Sequence, residues 1–242
     1  MQTLWTKLFY QPLYNILILI VATIAFGDLA LAVVLLTVVV KVLLWPLSRK
    51  AILSQMKMKA LEPELARIKE NNTAKEDQAK KTFELYKKNG VNPFSSCLVI
   101  LIQFPIIIAL YYVFYRGFGS PELLYSFVHM PENINTMLLG MDVTKPSIYL
   151  AILAGVSQFF QLHLSPTRQK KVPGAPQPKN MQEAVANNMQ NQMRFVLPII
   201  IAFVSMKLSA AVAIYWITSN LVTIIQERTI KHRKHDPVVV VS

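Results

Sequence analysis

The chain has 242 residues, 53% of them hydrophobic, with 25 Lys and Arg against 13 Asp and Glu and a formal net charge of +12. Long apolar runs between Lys-rich and Pro-rich connections argue against a soluble nucleic-acid binder and for an all-α polytopic membrane protein. The single cysteine, Cys97, excludes an intrachain disulfide and a multi-thiolate metal site.

In chain order, residues 1–26 come first. The apolar stretch 13–26 is short for a hydrocarbon core of about 30 Å, which takes about 20 helical residues to cross. Trp5, Phe9, Tyr10 and Tyr14 cluster around its start, as aromatic residues do at a headgroup boundary. The segment reads as an amphipathic helix lying in the outer interface, with a further span as the alternative. No secretory signal is expected, because Lys7 is the one cation ahead of the apolar stretch and no small-residue cleavage site follows it.

The first span is placed at 27–48. It contains Lys41 within an apolar run, where a charge costs roughly 3 kcal/mol or more. Thr37 precedes Lys41 by one turn and Ser48 follows by two, so a polar stripe facing a hydrated groove is expected. The competing reading is that Lys41 snorkels to the cytoplasmic interface, since Leu47 is only about 9 Å further along the helix.

Residues 49–91 read as a cytoplasmic helical hairpin. Leu53, Met56, Ala60 and Leu61 have helical spacing in its first helix, which Pro63 should bend. Thr73 and Glu76 form a capping box for a second helix running to Lys88. Four more spans follow, at 92–116, 147–164, 191–207 and 208–227. An extracytoplasmic loop occupies 117–146, a cytoplasmic loop rich in proline (Pro173, Pro176, Pro178) occupies 165–190, and a basic tail occupies 228–242. Residues 49–88 carry eleven Lys and Arg against six acids. Arg168, Lys170, Lys171 and Lys179 mark the later loop, and Arg228, Lys231, Arg233 and Lys234 mark the tail. The positive-inside rule puts all three, and the C-terminus, on the cytoplasmic side.

Polar side chains recur within the spans. Tyr215, Ser219, Thr223 and Gln226 share one helix face, flanked by Trp216 and Asn220, and Ser157, Gln158, Gln161 and Gln103 add to the set. Singly, each is explained by a hydrogen bond across a helix interface. Together with a lysine they indicate a water-accessible cavity. No Asp or Glu is expected deep in a span, and Asp28 and Glu227 are placed at span ends, which leaves Lys41 without an intramembrane counter-ion. That omission argues against an ion-coupled transporter. Scattered histidines (His129, His163, His232, His235) and the lack of an HExxH or nucleophile motif argue against a hydrolase. A lone cation in a polar groove suits a site that receives acidic groups from another molecule.

Four blocks carry a resemblance to a known family: LTVVVKVLLWPL at 36–47, NPFSSC at 92–97, LIQFPI at 101–106 followed by ALYY at 109–112, and IYWITSNL at 214–221. In order and spacing the chain resembles the YidC family of bacterial membrane protein insertases, related to those of mitochondria and thylakoids. The resemblance implies a five-helix transmembrane core around a groove open to cytoplasm and lipid, a cytoplasmic helical hairpin and an outer interfacial helix. It implies insertion and folding of nascent membrane proteins in the plasma (inner) membrane, without a cofactor, metal or catalytic residue. The Sec translocon, the signal recognition receptor, the ribosome and membrane lipid are the partners it suggests. Thr37, Lys41, Gln103, Tyr215 and Trp216 fall where the family's groove and client contacts lie, and Gln158, Ser219 and Thr223 complete the expected client-binding groove. Two departures stand out. Lysine replaces the family's usual arginine at position 41, keeping the charge and losing the bidentate fork, and the long periplasmic domain of many members is missing, so a short form is expected. A small-solute transporter and a structural assembly factor remain the alternative functions.

Overall fold

The computed structural model describes residues 4–71, 75–92, 95–116, 118, 121–165 and 194–235. The expected Thr73 cap, the proline-rich loop from 166 onward and the end of the basic tail lie outside them.

A π-helical turn, Thr6–Tyr10, runs into α1, Gln11–Thr23. Leu13, Tyr14, Asn15, Leu17, Ile18, Ile20 and Val21 are all buried, so α1 packs through most of its circumference against neighbouring helices. The aromatic residues expected at a headgroup boundary turn partly inward. Tyr10 and Tyr14 are fully buried, the Tyr14 hydroxyl donates to the Phe118 carbonyl at 3.1 Å, and the Arg116 guanidinium lies over the rings of Tyr10 and Tyr112. A phenol is accommodated inside when its oxygen or its ring face has a polar partner.

The chain then reverses tightly. Phe26 and Gly27 have positive φ, and a Cβ on Gly27 would stand 3.2 Å from the Asn133 carbonyl oxygen. Asp28 caps α2, Leu29–Leu43, by accepting from the Leu31 N–H at 2.8 Å. The expected straight run through 27–48 ends at Leu44, where α2 gives way to α3, Trp45–Ala60, with a bend of 65°. Pro46 accounts for the break: it cannot donate to a carbonyl one turn back, and it is tolerated where a new helix begins. Ser48 lies beyond the bend, so Thr37, Lys41 and Ser48 do not form one continuous stripe.

Helix α4, Glu62–Asn71, starts just before Pro63, again where proline is tolerated, and packs against α5, Lys75–Lys88. Helix α3 itself lies against α6, Ser95–Arg116, tied there by the Ser54 hydroxyl donating to the Asn92 carbonyl at 3.0 Å. The hairpin boundary expected at residue 49 is therefore not a helix boundary, because α3 is continuous through it.

The 121–147 segment is folded on its own terms. A two-stranded hairpin pairs Met137–Leu138 with Met141–Asp142 through Leu139 and Gly140, both at positive φ, the geometry of a tight two-residue turn. Its start is pinned to the α1–α2 turn by reciprocal backbone hydrogen bonds: Leu29 N–H to Asn135 C=O, and Asn135 N–H to Gly27 C=O. Three helices complete the bundle: α7, Ile148–Leu164; α8, Arg194–Ser205; and α9, Ala210–His235. The first N–H groups of α9 donate to the carbonyls of Lys145 and Val143, which satisfies donors that a helix start leaves open. Helices α7 and α8 approach so closely that a Cβ on Gly155 would lie 2.8 Å from the Ala202 Cβ and 2.9 Å from the Pro198 oxygen.

Among the described residues no single helix is both long and apolar enough to cross a membrane, while the bent pair α2–α3 meets the test jointly. The side chains of α6 at 95–102 are outside the described set. The bundle's outer surface is nonetheless apolar, with Val42, Leu43, Phe104, Ile108, Phe203 and Leu221 all exposed. A surface of this kind marks contact with lipid or another apolar partner.

Candidate functional site

Helix α9 organises the polar interior, because its residues at three- and four-residue spacing face α2, α6 and α7 in turn. At its first level the Tyr215 hydroxyl, 2% exposed, accepts from the Gln103 side-chain amide. One turn on, buried Ser219 offers its backbone carbonyl to the Thr223 hydroxyl at 2.8 Å. Thr223 in turn accepts from the Lys41 ammonium at 3.0 Å. The neighbouring Gln226 amide reaches the Lys41 carbonyl at 3.4 Å, so both the head and the backbone of Lys41 are tied to α9.

Lys41 thus points across the bundle toward α9. Nζ crosses from α2 to the neutral Thr223 hydroxyl of α9, which engages one of its three donors; among the described residues no other acceptor meets it.

Thr37 behaves differently from expectation. It is fully buried, and its hydroxyl donates to the Val33 carbonyl one turn back at 2.6 Å. That local bond engages the hydroxyl inside its own helix, as the Thr223 bond to Ser219 does, but no hydrogen bond joins Thr37 to Lys41 among the described residues. Gln158 is buried on α7 and donates to Gln161 at 3.1 Å, on the far side of α9 from Gln103. Trp216 is half-buried against the apolar core. The expected groove residues therefore fall into three groups: Gln103 with Tyr215, Lys41 with Thr223 beside Ser219, and Gln158 within an α7–α9 network.

That network holds what the sequence reading missed. Asn220 donates to Ser157 at 2.9 Å, and Glu227 accepts from Ser165 at 3.1 Å and from Gln161 at 3.4 Å. Glu227 is only 5% exposed, and its second oxygen, Oε2, is buried without a hydrogen-bond partner among the described residues. Its charge and that of Lys41 attract each other, with no contact ion pair between them among the described residues. The acid placed at a span end is inside the bundle because α9 continues to His235, eight residues past it. Its spacing was a usable signal, since Glu227 lies four residues after Thr223 on the same side of the helix.

Among the described residues, no three His, Cys, Asp or Glu side chains converge as metal ligands. The arrangement offers one cation, one carboxylate and a ladder of neutral donors and acceptors within an apolar shell. Chemically, such a set can offer hydrogen bonds and charge to polar groups.

Comparison with known proteins places this architecture. The family described as 60Kd inner membrane protein matches residues 21–237. A membrane protein insertase YidC from Francisella philomiragia subsp. philomiragia is 33% identical over 205 residues, which is 83% of this chain and 32% of that protein. Its counterpart from Francisella tularensis subsp. novicida has the same identity and coverage. The chain therefore spans about a third of the length of the curated relatives it matches. A crystal structure described as an active YidC insertase with the first transmembrane domain resolved superposes with a TM-score of 0.57 at 20% identity, over 92% of this chain and 46% of that one. At that identity the likeness speaks to fold.

Proposed function

The chain belongs to the 60Kd inner membrane protein family, the YidC family, and from that premise we propose that it inserts integral membrane proteins into the inner membrane and helps them fold. The proposed topology has α2, α6, α7, α8 and α9 as spans, α4 and α5 as a cytoplasmic hairpin, and α1 on the outer side. A client's hydrophilic tail would enter between α2, α6 and α9 from the cytoplasm, where Lys41, Thr223, Gln103 and Tyr215 hydrate it. Its apolar segment would move along the exposed Val42, Leu43 and Phe104 surface into lipid. Polar side chains and trapped water lower the cost of carrying backbone and charge through hydrocarbon. The Sec translocon, the signal recognition receptor and the ribosome are proposed partners, through the hairpin and the basic tail.

One observation carries this reading: the Lys41 ammonium sits 3.0 Å from Thr223 Oγ1 inside a bundle whose outer face is apolar. An internal cation without a contact ion pair attracts acidic groups more strongly than it would in bulk water. The test is protease protection of short single-span clients with matched acidic or neutral tails in proteoliposomes. Lys41→Arg should preserve insertion of both. Lys41→Ala should lower insertion of the acidic-tail client about tenfold, or ~1.4 kcal/mol, and spare the neutral one, and Lys41→Glu should be worse than alanine. Equal loss for both clients would refute charge reading by Lys41, and no insertion above empty liposomes would refute the insertase reading.

A further inference from the structure

Glu227 is a buried carboxylate that the proposed insertion path does not use. One oxygen is anchored by the Ser165 hydroxyl and the Gln161 amide of α7, while the other is buried and unpartnered among the described residues. Lys41 is bonded to Thr223, one turn before Glu227 on α9, and Gln226 holds the Lys41 backbone. The two opposite charges are therefore fixed from different helices, close enough to attract yet not joined. The neutral Thr223 hydroxyl occupies the position at the ammonium that a carboxylate would take.

We propose that Glu227 is a specificity-determining residue: its carboxylate is the resting counter-charge of Lys41 and sets how strongly the groove draws in acidic client segments. The proposal deepens the insertase reading and rests on it. Without Glu227, Lys41 would be an isolated internal cation, costly to the fold and strongly attractive to any acid. With it, the site is close to neutral overall. A client carboxylate then feels an attraction to Lys41 that is partly cancelled by repulsion from Glu227, so acidic tails are admitted and also released. Because the anchored oxygen leaves Lys41 unclaimed, a client acid can reach the ammonium without first breaking an ion pair.

The experiment combines Lys41→Met, Glu227→Gln and the double variant, using the full chain in proteoliposomes with the matched acidic and neutral clients. Glutamine can still accept from Ser165 and Gln161, so the anchoring is retained while the charge is removed. Glu227→Gln should raise insertion of the acidic-tail client roughly three- to tenfold relative to the neutral one, the scale of one like charge removed nearby. That gain should vanish in the Lys41→Met background. Equal change for both clients, or a gain that persists without Lys41, overturns the proposal. Thermal melting of the four proteins in detergent gives a readout independent of insertion. Lys41→Met should lower the Tm by stranding Glu227, and adding Glu227→Gln should recover most of the loss. If wild type inserts neither client, the insertase reading fails and the melting cycle alone decides the pairing: recovery supports it, and additive losses overturn it.

Discussion

Asn15→Ala should destabilise the fold by ~2–4 kcal/mol, although nothing in its local sequence marks it out. Asn15 lies on α1, is 2% exposed, and makes three hydrogen bonds, two of which tie that helix to the segment ahead of the β-hairpin. Its amide nitrogen donates to the carbonyls of Gln11 and Leu123, both at 2.8 Å, and its oxygen accepts from the Tyr125 N–H at 2.7 Å. Alanine orphans these groups unequally. The Leu123 carbonyl keeps a second donor in the Gln11 side chain at 3.1 Å, and the Gln11 carbonyl belongs to the helix ladder. The Tyr125 N–H loses its hydrogen bond to the Asn15 oxygen, which costs ~1–3 kcal/mol when water cannot replace it. The lost side-chain volume adds roughly a further kcal/mol. Gln11→Leu, which removes a single partly buried bond, should cost only ~0.5–1.5 kcal/mol. The assay is reversible unfolding in mixed micelles, followed by circular dichroism, on each single variant and the double. Because both side chains share the Leu123 carbonyl, the double loss should exceed the sum of the singles. A loss below about 0.5 kcal/mol for Asn15→Ala, the range of ordinary surface changes, would refute the view that this side chain holds the outer loop to α1.

Other positions give equally direct tests. Gly155→Leu should separate α7 from α8 and cost ~1–3 kcal/mol or prevent assembly, whereas Gly155→Ala should cost less, since only a Cβ must be accommodated near Ala202; equal melting of the leucine variant and wild type would contradict the close approach. In a Cys97→Ser background, a cysteine at 41 should react with a water-soluble thiol reagent while one at 37 stays protected, because Thr37 is fully buried; fast labelling at 37 would mean that α2 rotates or opens. Asp142 accepts from the hydroxyl and N–H of Thr144 and lies 3.5 Å from Lys145, which holds its carboxyl below the usual range. A folded-state value below the unfolded value of about 3.9 contributes stability that is fully present above that pH and lost as pH falls through the folded value. Asp142→Asn should therefore lower the Tm at neutral pH and converge with wild type once acid has protonated the folded-state carboxyl; a gap that persists in strong acid would refute the linkage.

Helix positions were readable because a helix satisfies its own backbone groups in apolar surroundings, and the four sequence blocks pointed to the family whose model matches residues 21–237. Lys41 and the α9 stripe were readable for the same reason, since polar side chains in such runs are conspicuous. The bend at Leu44 had its signal in Pro46, but apolar length outweighed it when the span was drawn to 48. Thr37 shows that helical spacing gives direction without depth: it is fully buried and its hydroxyl bonds within α2, a possibility every helical threonine carries. Asn15 and Glu227 illustrate the deeper limit. Their partners lie 108 and 62 residues away, Leu123 for one and Ser165 for the other. Only the fold brings those groups together, so a charge counted along the chain as terminal is buried in three dimensions.

The vertical arrangement of these groups matters for insertion as much as their identity. From Tyr215 to Glu227, α9 rises about 18 Å at 1.5 Å per residue. Along that length it meets Gln103, Lys41, Gln161 and Ser165 in turn. On the proposed topology the ladder occupies the cytoplasmic side and more than half of a hydrocarbon core of about 30 Å. The stretch of α9 above it, about 8 Å from Ala210 to Tyr215 at 1.5 Å per residue, begins with Ala210, Ala211, Val212 and Ala213, all fully buried. Small side chains there let the helices close on one another and leave no room for a hydrated path. A client tail would therefore be solvated over most of the crossing and would meet the full apolar barrier only over the last few turns. Because the desolvation cost grows with the number of polar groups held in hydrocarbon at once, shortening the dry section lowers the barrier without opening a pore. On the proposed function, a closed outer end and a hydrated inner half would suit the place of Lys41 near the foot of the ladder: there it would recruit acidic tails from the cytoplasm while the end above it stays closed.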